Sequence, residues 1–147
     1  MSASQSTRIV VGVDGSPSSI QALKWALGQA VLTGSAIDAV CAWHYPSTYG
    51  VPLPDDGDYR ALAEETVTKA IAEARTADHA YDGVPISPVV VKAPPAQALL
   101  EQAKGAALLV VGFRGHGGFS EALLGSVSQH VVHHAPCPVV IVRYKAE

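Results

Sequence analysis

Apolar and polar residues along the 147-residue chain alternate between two periods, and the switches mark the elements. Arg8–Val13 is a short β-branched run that ends at Asp14-Gly15-Ser16-Pro17. That tetrad predicts a turn followed by a helix start, with Ser as cap and Pro at the first helical position. Ser18–Thr33 then carries Ile20, Leu23, Leu27, Ala30 and Val31 at helical spacing, and Gly34 is a natural stop. Ala36–Trp43 predicts a second strand. Tyr45–Asp56, with three prolines and a glycine, is the longest loop. Tyr59–Asp78 places Tyr59, Leu62, Ala63, Val67, Ala70, Ile71 and Ala74 on one helical face before Gly83 breaks the pattern. Ile86–Val91 is the third strand. Pro88 lacks a ladder donor, so this strand is expected at a sheet edge. Pro94 and Pro95 open a helix with Leu99 and Leu100 that stops near Gly105. Ala107–Val111 is continuously apolar, as in a strand buried on both faces. Gly125–His134 is the last helix, Pro136 ends it, and Pro138–Val142 is the last strand.

Strict β-α-β alternation predicts an α/β fold, a parallel sheet with helices on both faces and right-handed crossovers. A flavodoxin-like order, reversing beside strand one, is the leading topology. Repeats and low-complexity tracts are absent, and residues 1–147 read as one domain with a flexible start over 1–7.

Composition narrows the function classes. The chain is 48% hydrophobic, which argues against disorder, and only 16% charged, below the usual ~25%. A net charge of −3 and the lack of a Lys/Arg run count against nucleic acid as a partner. Apolar runs such as Ala106–Val111 are too short to span a bilayer, and Met1–Thr7 has no signal-peptide pattern. Cys41 and Cys137 form no CxxC pair, and Cys41 reads as a buried free thiol. A reduced, cytoplasmic setting follows by default.

The candidate chemistry lies in the glycine-rich stretch from Val110 to Ser126, between a strand and a helix. Such a loop brings backbone N–H groups to a phosphate without intervening side chains. Its ordered glycines are Gly112, Gly115 and Gly125, followed by Ser126 at a helix start. The other reading is that these glycines serve only positive φ or close packing, the role expected of Gly117 and Gly118. The loop lacks the Lys of a P-loop and follows strand four rather than strand one. Ligands of open α/β sheets bind beyond the carboxyl ends of the strands at the order reversal, so the loops after strands one and four should share one crevice. Asp14 lies there, either accepting from a ribose hydroxyl or closing its own turn with Gly15. Arg114 is either a phosphate donor or a solvated charge, and His116 is a weaker case of the same choice. His130, His133 and His134 cluster at a helix end, but no Asp, Glu or Cys of ligand spacing joins them, so no metal site is expected. Glu121 pairs with no nucleophile, which leaves no hydrolytic dyad.

Three segments resemble the universal stress protein (UspA) family across nearly the whole chain. They are Ile9-Val-Val-Gly-Val-Asp-Gly-Ser16, the G-x2-G-x9-G-S pattern from Gly112 to Ser126, and the closing run Ser126–Arg143. The resemblance implies the ATP-binding subgroup and a five-stranded doubly wound sheet of order 3-2-1-4-5. It implies that Asp14 holds the ribose near the backbone of Gly12 and Val13, and that Ala42 meets the adenine edge. Val111 and Gly112 would line the adenosine pocket. Arg114, Gly115, Gly125, Ser126 and Val127 would surround the phosphates, with Mg or another divalent ion held through them. It also implies a homodimer through the last strand, Val139–Val142. One departure is Lys92-Ala93-Pro94, where many members have Gly; the Cβ of Ala93 bears on the adenine-side wall.

The leading expectation is therefore an ATP-binding stress protein whose nucleotide sets a conformational or partner-binding state, with slow hydrolysis at most. The rival is a homodimeric interaction module with an idle nucleotide site. An adenylating or α-hydrolase-type enzyme is a third, weaker reading. AMP or cyclic AMP could replace ATP in the same site.

Overall fold

The structure, a computed structural model, describes residues 7–44, 56–114 and 124–143, and of Asp56 only the backbone. Its strands are β1 (Arg8–Gly12), β2 (Ala36–Trp43), β3 (Ile86–Lys92), β4 (Leu108–Gly112) and β5 (Val139–Val142). Its helices are α1 (Pro17–Thr33), α2 (Asp56–Arg75), α3 (Pro95–Gln102) and α4 (Ser126–His134), with a 3₁₀ turn at His79–Gly83. All strand pairs are parallel, and the sheet order is β3-β2-β1-β4-β5. The expected fold is thus present, with Pro88 on an edge strand where its missing donor is tolerated.

Period-two alternation sends successive strand residues to opposite faces. Ile9, Val11, Ile37, Ala39, Cys41 and Val110 face α1 and α2, where Leu23, Leu27, Val67 and Ala70 complete one core. Val10, Val40, Leu109 and Val111 face α3 and α4, and meet Leu99 and Val131 in a second core. Each core lies between the sheet and a helix pair.

Local chemistry fixes the helix ends. Ser16 caps α1, its Oγ accepting from Ser19 N–H at 3.2 Å, and Pro17 opens the helix. Gly34 closes it at φ 73°, a left-handed position suited to glycine. Arg8 pairs with Asp38 at 3.1 Å and donates to the carbonyls of Gln102 and Lys104 at 2.9 and 2.8 Å, a cation at the end of α3. Arg75 likewise donates to the carbonyls of Tyr81 and Val84, tying α2 to the 3₁₀ turn.

Three expectations need correction. The second helix begins at Asp56 and ends at Arg75 rather than running over 59–78, because Asp78 caps the following turn by accepting from Ala80 N–H. Leu62 is 60% exposed, since the buried stripe of α2 runs through Ala63, Val67, Ala70 and Ala74. Val31 is exposed for the same reason: the inward face of α1 is Ala22, Leu23, Ala26, Leu27 and Ala30.

Candidate functional site

The chain leaves β1 in one direction along the sheet to β2 and β3, and in the other to β4 and β5. The order therefore reverses between β1 and β4, and the carboxyl ends of these two parallel neighbours lie together. Beyond β1, Val13 N–H still donates to Val40 O at 2.8 Å, and the chain then turns at Asp14. The Asp14 carboxylate accepts from Ser16 N–H at 2.9 Å, and Gly15 sits at φ 84°. The self-bonded turn is therefore real. The side chain is exposed at the rim, and a carboxylate has acceptor sites on both oxygens, so a turn bond and a ribose hydroxyl do not compete in number.

Gly112 closes β4 under heavy constraint. A Cβ there would lie 2.2 Å from Ser18 Oγ and 2.8 Å from Ser18 O, so α1 starts against this residue. Its carbonyl accepts from the buried Ser128 Oγ of α4 at 2.6 Å. Gly112 thus locks the starts of two helices from opposite faces of the sheet. Its lack of a side chain is explained by packing, the alternative that the sequence left open. Ser18 and Ser128, neither singled out from the sequence, complete the lock. The available signal was a small polar residue within the first turn of each helix flanking a strand-end glycine.

Phe113 links β4, β5 and α4. Its N–H donates to Val142 O at 2.9 Å, and its carbonyl accepts from Gly125 N–H at 2.8 Å. Gly125 is the cap of α4 in extended geometry and brings no capping side chain, so Ser126 and Val127 start the helix at the carboxyl edge. The first N–H groups of a helix lack intrahelical acceptors and carry the positive end of its dipole. Arg114 follows, half-buried, its backbone N–H on Ser18 Oγ at 3.4 Å. Gly115, His116, Gly117, Gly118 and Glu121 lie outside the described residues.

On the other side of β1, Ala42 lies near the end of β2, two residues beyond Val40, the partner of Gly12. Next to it, Trp43 stacks on Tyr59 with rings 6.3 Å apart, and Lys92 Nζ lies 5.5 Å from the indole centroid. Ala93 N–H donates to Trp43 O at 2.9 Å without a positive φ, so its backbone needs no glycine. The structure therefore brings Gly12, Val13, Asp14, Val111 and Gly112 together at one edge, with Ala42 to one side and Arg114, Gly125, Ser126 and Val127 to the other.

Cys41 lies inside β2 close to this edge. Burial, and then the charge of Asp14, push its thiol from the ordinary 9.0 up to about 11. Both cysteines are free, and burial raises Cys137 as well, against a lowering by Arg8. Between these pH values the unfolded chain releases the Cys41 proton while the folded chain keeps it. The stability from this group is fully present below pH 9.0 and is lost as pH rises through about 11. Cys41→Ala should therefore lose less stability than the parent between pH 8 and 10.5. Urea midpoints at the two pH values check this, and parallel losses would refute it.

The His130 and His134 rings lie with centroids 4.6 Å apart and tilted by 40°, but no group of three or more His, Cys, Asp or Glu poised for a metal occurs among the described residues. No helix among them is long and apolar enough to cross a membrane.

The model of the universal stress protein family matches residues 6–143. A universal stress protein of Mycobacterium tuberculosis is 37% identical over 139 residues, covering 95% of this chain and 46% of the relative. The chain thus spans about half the length of the curated relatives it matches. Among solved structures, a universal stress protein in complex with cAMP superposes with TM-score 0.69 at 28% identity, covering 92% of this chain and 95% of that one. UspA from Lactobacillus plantarum shares the fold, with TM-score 0.72 at 23% identity over 95% and 99% of the two chains.

Proposed function

The chain belongs to the universal stress protein family, and from that premise we propose that it binds an adenine nucleotide at the carboxyl edge between β1 and β4. The observation that carries the reading is the meeting, at the order reversal, of the exposed Asp14 turn and the start of α4, whose cap Gly125 brings no side chain. A helix start held there by Phe113 offers backbone N–H groups to a phosphate, and Asp14 offers acceptors to ribose. The cAMP complex of a 28%-identical relative supports an adenine nucleotide as the ligand class. ATP is the nucleotide proposed here, with Mg held through its phosphates. Gly12, Val13, Val111 and Gly112 form the floor, Ala42 meets the adenine, and Arg114, Gly115, Gly125, Ser126 and Val127 meet the phosphates. The bound nucleotide shifts the chain between partner-binding states, in a homodimer joined through the sheet edge at Val139–Val142.

One observation favours the rival, an interaction module with an idle site. Gly112 is demanded by Ser18 whether or not a phosphate binds. Ligand-linked stability separates the two. At a hundredfold excess over Kd, Mg-ATP should raise stability by about 2.7 kcal/mol, or roughly 5–11 °C in Tm for a chain of this size, with Mg-GTP as control. Asp14→Asn keeps an acceptor for the turn but loses the charge, and should weaken ATP about tenfold. No rise in protein stripped of nucleotide favours the idle-site module.

A further inference from the structure

We propose that Arg143 is a further anchor of the nucleotide site, contacting the phosphates beyond the first; this rests on the nucleotide reading above. Val111 and Ile141 both pack on the α3–α4 side of the sheet. Two residues on, strand alternation sends Phe113 and Arg143 the same way, toward the side where α4 begins. Gly112 and Val142 are register partners, so Phe113 and Arg143 are lateral neighbours. The Arg143 guanidinium lies over the Phe113 ring, its carbon 4.3 Å from the centroid. The same Phe113 holds the cap of α4 through its carbonyl. One residue therefore fixes the helix start and the cation beside it.

This cation–π contact matters chemically. A guanidinium on an aromatic face uses its π-surface and keeps its in-plane N–H donors for another partner. Among the described residues, no hydrogen bond or ion pair engages those donors. A planar fork of in-plane donors over the ring suits a phosphate oxygen pair.

Strand order gives the reason for assigning outer phosphates to it. Ala42 is on β2, Asp14 follows β1, the α4 start adjoins β4, and Arg143 follows β5. These are four successive strands, about 4.8 Å apart each. A nucleoside triphosphate presents base, ribose, first phosphate and outer phosphates in that sequence. A monophosphate laid on the same edge ends at α4, short of β5.

The test measures Mg-ATP and AMP binding by calorimetry on the full chain at fixed ionic strength. Arg143→Gln should weaken ATP about tenfold or more and leave AMP within about twofold. Arg143→Lys keeps the charge without the fork and should fall between. Lys69→Gln, an equal charge change on α2, should leave both affinities unchanged. Equal weakening of ATP and AMP by Arg143→Gln, or no weakening of either, overturns the proposal while the nucleotide site stands. Binding of neither nucleotide to the parent protein overturns the nucleotide reading, and this inference with it. Unaltered thermal midpoints of the variants establish that they fold.

Discussion

Gly112→Ala should lower the thermal midpoint by about 6–12 °C, from an overpacking cost of about 3 kcal/mol. The new methyl carbon would stand 2.2 Å from Ser18 Oγ, and 2.8 and 2.9 Å from the Ser18 carbonyl oxygen and carbon. A hydroxyl can rotate away, but the backbone of the first turn of α1 cannot. Ser18→Gly in the same chain removes the hydroxyl and leaves the carbonyl, so it should restore only part of the loss. Gly12→Ala is the informative contrast. Its Cβ would meet the terminal methyls of Leu99 at 2.9 and 3.3 Å, and these can shift, so the cost should be about 1 kcal/mol. Thermal melts of the three variants check the order. Equal costs at the two glycines would show that the α1 start yields as easily as a leucine methyl. Lost nucleotide binding in Gly112→Ala would be no proof of a phosphate contact, which makes Asp14→Asn the better probe.

Leu23→Ala should cost about 3–4 kcal/mol, since a fully buried leucine leaves a cavity as well as losing transfer energy. Leu23 lies in the core between α1 and the sheet, among Leu27, Ile9 and Val110. Nine residues further along the same helix, Leu32 is 82% exposed, and Leu32→Ala should stay within about 0.5 kcal/mol. Urea unfolding of both variants tests whether the stripe is placed correctly. A costly Leu32→Ala would mean that this face is covered by something outside the described chain. The Leu23 loss also reaches the site, because α1 and its cap supply Ser16, Ser18 and Ser19, the residues that close the Asp14 turn and abut Gly112.

Much of this architecture was readable in the residues because the elements obey simple periods. β1 and β4 are apolar on both faces, as central strands must be, and Pro88 pointed to the edge. Helix faces were less legible. Leu62 and Val31 fit a helical stripe by spacing, but only tertiary packing decides which of two overlapping stripes turns inward. Alanine-rich α1 hides its inward face because small residues give a weak hydrophobic signal while allowing close approach to the sheet. The candidate site was legible as a place, the carboxyl edge where the strand order reverses. Asp14 stands at the reversal, as its position after β1 implied. The glycine spacing pointed to the loop after β4, but at Gly112 it answers a packing demand visible only once Ser18 is placed beside it in space, 94 positions away in sequence. Phe113 and Arg143 gave no signal in the sequence, because their meeting depends on the register of β4 and β5.

The two tryptophans of the chain occupy unlike surroundings: Trp25 is 39% exposed on α1, while Trp43 is 8% exposed beside Tyr59 and Lys92. The molecule thereby carries an optical probe. With Trp25 replaced by Phe, all indole emission would arise one residue from Ala42. Its wavelength and quenching would then report events at the carboxyl edge in real time, without a label.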